Sequence, residues 1–524
     1  MNRDPYASID DSLRFWGRIA PQREFVLCGE DRLTFAHADE WVDRVAAYLA
    51  SKGITAGDRV GILGENSIEW IIASFAVFRI GAIHCGLSDR SSAQELIHAA
   101  TLANLRAVFV TEAHFGRMAE VTRLRAELQI LPMAEVTDRR RSVQLDRFER
   151  PSVDTQKVAA IVLSSGSSGL PKGVAVSMNS ILSVATEHIL VDYEAYGKNG
   201  RNLLALPLAP MGGFLSKVTR ALLAGGRCYV MQKFDEREAL RLLIEEKCNT
   251  FMAPPTIYQR ISALPHFQTA DLSTLTHGAI GGAPVPLDEI IKWLDRGAVI
   301  RQSWGSTETG TFPPIGTVEQ IRADPSICTN VSIYRRIRTE RPDGTPCAPN
   351  ESGEVLVSGP GLMEGYLDDQ EANAAVFRNG WFRTGDLGQL DENGILKIVG
   401  RIKEIIISGG YNVSPLEVER TIEELDWVIE AAVIGVPDSK WGEGVGAIVR
   451  TAGKGTVGEI TTHCRSRLAG YKMPRYVLIV DEPLPRTNSK NSLAKGPIRE
   501  KYGQRLAQTR TGEERTSLAS SNNP

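Results

Sequence analysis

Two rhythms of hydrophobic and polar positions run along the chain. Residues 39–52 place Trp41, Val42, Val45, Ala46 and Leu49 at helical spacing, and Gly53 ends the run. Arg59-Val60-Gly61-Ile62-Leu63 then reads as a short strand, and residues 68–80 as an apolar, buried helix. Gly81-Ala82-Ile83 starts another strand, and residues 105–110 form one more after a further helix. Strands alternating with helices predict a largely parallel sheet covered on both faces. Residues 131–157 break the rhythm: they are charged and irregular, and Arg139-Arg140-Arg141 is expected to be a solvated surface turn. From Glu404 onward the pattern predicts a compact α+β region, with a helix opening at Pro415, a strand over 431–436 and another around Ala447-Ile448-Val449. The polar stretch after about Arg505 is expected to be disordered.

Length and charge narrow the picture. A chain of 524 residues can hold more than one domain and a large core. A formal charge of −3 gives no reason to expect a nucleic-acid or membrane surface. No apolar run reaches transmembrane length and residues 1–11 lack a signal-peptide core, so a cytoplasmic protein is expected. The seven cysteines are widely spaced without a C-x-x-C, and the eight histidines show no ligand spacing, so reduced structural thiols are expected and a zinc site is not.

Candidate chemistry begins where the apolar residues 158–163 run into Ser164, Ser165, Gly166, Ser167, Ser168 and Gly169, followed by Leu170-Pro171-Lys172-Gly173. Glycines let the backbone turn several N–H groups inward, serines add hydroxyl donors and Lys172 adds charge, which suits an anion such as phosphate. A Walker A motif is excluded because Pro171 precedes Lys172 and Gly173 follows it. On composition alone a flexible Ser/Gly linker fits equally well, and the surrounding motifs decide against it. Further on, Gln302-Ser303-Trp304-Gly305-Ser306-Thr307-Glu308-Thr309 follows a strand end at Val299-Ile300. Thr307 offers a hydroxyl to a phosphate and Glu308 a hard oxygen to Mg²⁺. Asp386, in Thr384-Gly385-Asp386-Leu387-Gly388, can accept two hydroxyl donors at once, as a ribose presents them.

In this order and spacing the motifs resemble the acyl-adenylate-forming superfamily, which holds acyl-CoA synthetases, adenylation domains of peptide synthetases and beetle luciferases. The family's Thr-Thr in the Ser/Gly loop is Ser167-Ser168 here, and Trp304 stands where tyrosine is usual. The resemblance covers roughly residues 30 to 500. It implies an α/β and α+β fold: a large N-terminal domain of layered mixed β-sheets flanked by helices, with a small β-subdomain, and a small mobile C-terminal α+β domain. The domains would span 1–402 and 403–504, hinged at Lys403, before the tail 505–524.

The resemblance also distributes roles. The Ser164–Gly169 loop and Lys172 would hold the β- and γ-phosphates of ATP. Gly282, Ala283, Pro284, Trp304, Gly305 and Ser306 would surround the adenine side, and Asp386 and Arg401 would reach the nucleotide. Ala209, Pro210, Met211, Phe214, Ile280, Gly281 and Thr309 would face the carboxylic acid. The family's usual aromatic-histidine pair is replaced by Ala209 and Pro210, and no acidic residue lies between Asn202 and Phe214 to meet an ammonium. An apolar, non-amino-acid substrate follows. Gly409 and Gly410 would border a narrow acceptor channel. ATP and Mg²⁺ are implied, with CoA as the favoured co-substrate, in a monomer or homodimer.

The chain departs from the family at its last motif. Pro-Arg-Thr-x-x-Gly-Lys is expected, and Pro485-Arg486-Thr487-Asn488-Ser489-Lys490-Asn491 is found. A one-residue shift that makes Lys490 the catalytic lysine is favoured, since a long stem tolerates it. Lys495 reaching in, or loss of the lysine, are the alternatives. The acyl acceptor is expected to be the CoA thiol, with an amine as the rival.

Overall fold

The computed structural model describes residues 8–141, 150–164, 171–329, 332–451, 453, 455–486 and 493–509. Ser165, Gly166, Ser167, Ser168 and Gly169, together with Lys490 and the tail beyond residue 509, lie outside the described residues. The chain forms two compact units, Met1–Ile337 with Leu356–Arg383, and Arg338–Val355 with Thr384–Pro524. It passes from one to the other inside strands Arg336–Glu340, Ser352–Ser358 and Trp381–Leu390.

The first unit is built on two seven-stranded sheets. One runs Ile300–Ser303, His277–Gly281, Thr250–Ala253, Arg201–Leu204, Arg227–Val230, Glu24–Cys28 and Asp31–Thr34, parallel except for the last pair. The other runs Gly365–Tyr366, Lys172–Ser177, Val158–Ser164, Ile83–Leu87, Arg59–Leu63, Ala107–Val110 and Gln129–Pro132; its first three strands are antiparallel neighbours and the rest are parallel. Strand Ala107–Val110 is buried at every position, as a parallel strand covered on both faces must be. Helix Ile68–Arg79 is apolar on every face between Glu69 and Arg79 and, Glu69 apart, buried along its length, so hydrophobic burial rather than amphipathicity holds its middle.

The predicted elements recur with shifted ends. The helix expected over 39–52 spans Phe35–Ser51, because the Thr34 hydroxyl accepts from the His37 N–H and caps it four residues earlier. The strand before Pro207 stops at Leu204, and proline's missing N–H leaves residues 205–213 in turns. A π-helical turn, Phe214–Val218, then leads into helix Thr219–Ala224. The arginine run departs from the solvated turn expected of it. Arg139 lies over the Tyr48 ring at 3.9 Å, and Arg140 lies over Trp41 and donates to Asp31 at 2.7 Å. Guanidinium planes stack on aromatic faces while keeping their charge paired, and these two clamp the helix Phe35–Ser51.

In the second unit, a sheet orders Tyr411–Val413, Ile406–Ser408, Gly442–Thr451 and Val428–Asp438, with Tyr476–Val480 parallel to Gly442–Thr451. Helices Pro415–Glu423 and Val457–Arg465 cover one core cluster and helix Lys495–Ala507 seals a second. This is the α+β region the sequence predicts. Among the described residues no helix is long and apolar enough to cross a membrane.

Candidate active site

In the first unit, strands Val158–Ser164 and Lys172–Ser177 pair with Ser164 opposite Lys172, so both ends of the Ser/Gly loop are held in one register. His98 Nε2 lies 2.8 Å from the Pro171 carbonyl, tying helix Ala93–Leu102 to the loop's exit. Lys172 Nζ donates to Asp369 Oδ2 at 3.0 Å and sits 4.8 Å from the centre of the Tyr366 ring. The Tyr366 hydroxyl donates to Glu308 Oε1 at 3.2 Å. Burial raises the Tyr366 pKa, and the Glu308 charge raises it further, so the hydroxyl remains a donor. The fold thus links the cation after the loop to the carboxylate of the Thr-Glu motif, 136 positions away, through Tyr366, while Asp369 pairs with the same cation. Tyr366 and Asp369 carry no role in the sequence reading. The signal available was their place just after the Gly365 strand.

Thr307, Glu308 and Thr309 turn the chain between the short strands Gly305–Ser306 and Gly310–Thr311. The Ser306 hydroxyl accepts from the N–H groups of Glu308 and Thr309, and Thr309 Oγ1 accepts from the Ser306 N–H at 3.0 Å. These bonds fix the turn and leave the Thr307 hydroxyl and the Glu308 carboxylate half-exposed. Thr309 itself is buried and donates to the Gly310 carbonyl, so it shapes the turn. Trp304 is 9 % exposed and stacks on Phe312 at 5.1 Å, whose ring also lies 3.7 Å from the Arg335 guanidinium. Gly282 has φ +79° and open space at its Cβ position, between half-buried Gly281 and Ala283 and exposed Pro284.

The acid-facing stretch divides. Ala209, Pro210, Met211 and Gly212 are half-exposed at the edge of the strand Ile83–Leu87, where a Cβ on Gly86 would lie 2.6 Å from the Ala209 carbonyl oxygen. Phe214 is wholly buried among Trp70, Phe75, Phe78 and His84, and Ile280 is wholly buried in the other sheet's core. Two cations nearby were not singled out from the sequence. Lys217, 8 % exposed, donates to the Gly212 carbonyl at 2.6 Å, and burial with the Arg220 charge pulls its pKa down to about 7. Arg220 is 1 % exposed. Their only sequence signal is charge inside the apolar run 214–222.

In the second unit, Asp386 stands opposite Arg401 in the hairpin of Trp381–Leu390 and Leu396–Arg401, and Arg401 Nε donates to Asp386 Oδ1 at 2.8 Å. Asp386 is 5 % exposed, while Arg401 and Lys403 are exposed. Gly409 and Gly410 turn between Ile406–Ser408 and Tyr411–Val413 with φ of +58° and +82°. A Cβ on Gly409 would lie 2.4 Å from the Trp441 ring, so only glycine fits there. Around the last motif, Arg486 bridges to Leu493 and pairs with Glu430. Lys495 is held by Glu419 at 2.9 Å and Glu404 at 3.4 Å.

Known proteins agree with this architecture. Residues 14–367 match the AMP-binding enzyme family and residues 417–491 match the AMP-binding enzyme C-terminal domain. The feruloyl-CoA synthase of Amycolatopsis sp is 34% identical over 490 residues, covering 93% of this chain and 97% of that protein. The crystal structure of ATP-bound MatB from Rhodopseudomonas palustris superposes with a TM-score of 0.86 at 27% identity, over 95% of this chain and 100% of that one. The amide bond synthetase McbA from Marinactinospora thermotolerans gives 0.84 at 26% identity, over 94% and 99%. The chain belongs to the AMP-binding enzyme family, and it is an ATP-dependent, AMP-forming ligase of carboxylic acids with the α/β and α+β fold of that group.

Proposed function

We propose that this ligase activates an acid with an apolar body, other than an α-amino acid, and passes the acyl group to the CoA thiol. The observation that carries the phosphate end is the chain of contacts from Lys172 through Tyr366 to Glu308, which gathers the loop's cation and the Thr-Glu carboxylate in one place. The half-exposed Ala209-Pro210-Met211 edge, apolar and without a carboxylate, supports the acid's character.

A carboxylate becomes an acyl donor once one of its oxygens is a good leaving group. In this reading it attacks the α-phosphorus of ATP, releasing pyrophosphate and giving an acyl-AMP. The protein positions the groups and offsets charge. Ser164, the loop and Lys172 hold the β- and γ-phosphates. Thr307 donates to the α-phosphate. Gly282-Ala283-Pro284 and Trp304-Gly305-Ser306 border the adenine, and Asp386 with Arg401 takes the ribose side. Among the described residues no cluster of three metal-ligating side chains exists. Glu308, a half-exposed carboxylate, would offer an oxygen to a Mg²⁺ bound with the nucleotide. Such an ion would neutralise phosphate charge.

Lys490 is assigned the bridge between carboxylate and α-phosphate. The two carboxylates on Lys495 support that choice, because a lysine already paired twice is poorly placed to serve a substrate. Domains 1–402 and 403–504 would alternate about Lys403, and Gly409-Gly410 would line the pantetheine path. The likeness to an amide bond synthetase keeps an amine acceptor as the second reading. A panel of acids with ATP-Mg²⁺ tests both, following AMP and pyrophosphate with CoA or mixed amines present. Thioester without amide supports the first reading, and amide without CoA supports the second. ADP and phosphate as products would overturn adenylation altogether.

A further inference from the structure

We infer that the Lys217 ammonium beside Gly212 forms a subsite for a second anionic group on the activated acid, so that the substrate is a diacid with an apolar body. This presupposes the adenylation proposed above and specifies its acid.

Lys217 lies on the π-helical turn Phe214–Val218, which directly follows the half-exposed Ala209–Gly212 edge. A π turn inserts one residue into the helical path and re-aims the side chains it carries. Here it brings the Lys217 ammonium behind Gly212. The nearest atoms to a Cβ placed on Gly212 are Leu206 Cδ1 at 3.9 Å and Lys217 Nζ at 4.0 Å, so there is room over that glycine and the ammonium borders it. The ammonium has three protons to donate, and the Gly212 carbonyl is its one acceptor among the described residues.

Arg220 follows three positions on. Its Nη1 donates to the Tyr196 hydroxyl at 3.0 Å, and its Nη2 to Ser216 Oγ at 2.9 Å and Thr311 Oγ1 at 3.4 Å. Its Nε has no acceptor among the described residues. All of these partners are neutral. Thr311 Oγ1 is shared with His188 Nε2, and His188 Nδ1 is itself without a partner. Among the described residues, neither Lys217 nor Arg220 thus has a carboxylate for a hydrogen-bond partner. The ionisable group that acts on Lys217 besides Arg220 is the Cys228 thiol. Buried charge is costly unless an opposite charge meets it, and Arg335, in the same unit, has Glu187 for that purpose. The missing anion is supplied when a ligand's second carboxylate enters beside Gly212. An ammonium-bearing acid would be repelled there, in keeping with the absence of an acidic residue between Asn202 and Phe214.

The test uses matched acids that differ only in the second carboxylate: hexanoate and adipate, phenylacetate and 4-carboxyphenylacetate, benzoate and terephthalate. AMP release is followed at pH 7 with CoA present. In at least one pair the diacid is expected to exceed its partner in kcat/KM by about ten-fold or more, mostly through KM. Lys217→Met is expected to collapse that ratio, and Lys217→Arg to retain part of it. The diacid alone, without ATP, should raise the thermal midpoint of the natural chain more than that of Lys217→Met, a readout independent of turnover. If AMP forms but every monoacid outruns its diacid, or if Lys217→Met keeps the ratio, the subsite is refuted while adenylation stands. ADP in place of AMP would refute both.

Discussion

Arg79 and Arg220 are both guanidiniums sealed inside the first unit, at 0 % and 1 % exposure, and they are handled in opposite ways. Arg79 donates to Asp10 at 2.8 and 2.9 Å, to Asp39 at 2.6 Å and to Asp43 at 2.8 Å, and Asp10 also pairs with Arg150. Those carboxylates come from helices Ile9–Ile19 and Phe35–Ser51, so the network ties the start of the chain to the core helix Ile68–Arg79. Among the described residues, the side chains that accept from Arg220 are hydroxyls. A buried cation that brings its own anions serves the fold. Arg220 draws on neutral acceptors instead, and its charge acts on Lys217, the cation that borders Gly212.

The sharpest way to break this contrast is to remove each charge in turn. Arg79→Met would leave Asp10 buried with only Arg150 to meet it, and is expected to cost about 3–5 kcal/mol of unfolding free energy. Arg220→Met leaves no carboxylate behind and removes a charge that the interior otherwise has to bury, so its cost is expected below about 2 kcal/mol. Urea denaturation of both variants measures the difference. Equal losses would show that Arg220 is as structural as Arg79.

Lys172 stands between these extremes. Lys172 and its partner Asp369 are both half-exposed, so the pair can open to a phosphate at little cost to the fold. Lys172→Ala is expected to lower acid-dependent pyrophosphate release about 100-fold, with the denaturation midpoint almost unchanged. A large loss of stability with little change in turnover would instead place Lys172 with Arg79.

How much of this was legible in the sequence follows from where each charge finds its partner. The Ser/Gly loop, Thr307-Glu308 and Asp386 could be named as candidates because each belongs to a contiguous motif, and strand–turn–helix order follows from periodicity. The partners of Lys172 could not, since Asp369 lies 197 positions away. Lys217 and Arg220 look like ordinary surface charges until packing shows them buried. Phe214 and Ile280 show the converse, because apolar character alone cannot tell a pocket wall from a core. Arg139 and Arg140 resemble a solvated run until Tyr48 and Trp41 are found beneath them.

A pH titration sharpens the contrast from the side of a neutral buried base. His84 is 1 % exposed, with Nε2 3.2 Å from Ser74 Oγ and its ring among Trp70, Phe78 and Phe214. Burial lowers its pKa from 6.5 to about 3. Between those values the unfolded chain holds a proton that the native state does not. His84's share of stability is therefore complete above pH 6.5 and falls by about 1.4 kcal/mol per unit as pH drops towards 3. Comparing the natural chain with His84→Phe at pH 7 and pH 5.5 isolates that slope. Identical pH dependence would mean that the ring is protonated in place, and that this interior tolerates unpaired positive charge.

The smallest effect is expected at Tyr366, where a hydroxyl again meets a charge. The Tyr366 hydroxyl donates to Glu308 at 3.2 Å, much as Tyr196 accepts from Arg220 at 3.0 Å. The surroundings differ, because Glu308 is half-exposed and water can replace the lost donor, whereas Arg220 is sealed. Tyr366→Phe should cost no more than about 1 kcal/mol in stability and raise the KM for ATP only a few-fold. Tyr196→Phe keeps the ring yet strands one guanidinium donor in the interior, and should cost about 1–3 kcal/mol. If the two tyrosines proved equivalent, water would already reach Arg220, and its contrast with Arg79 would be one of hydration.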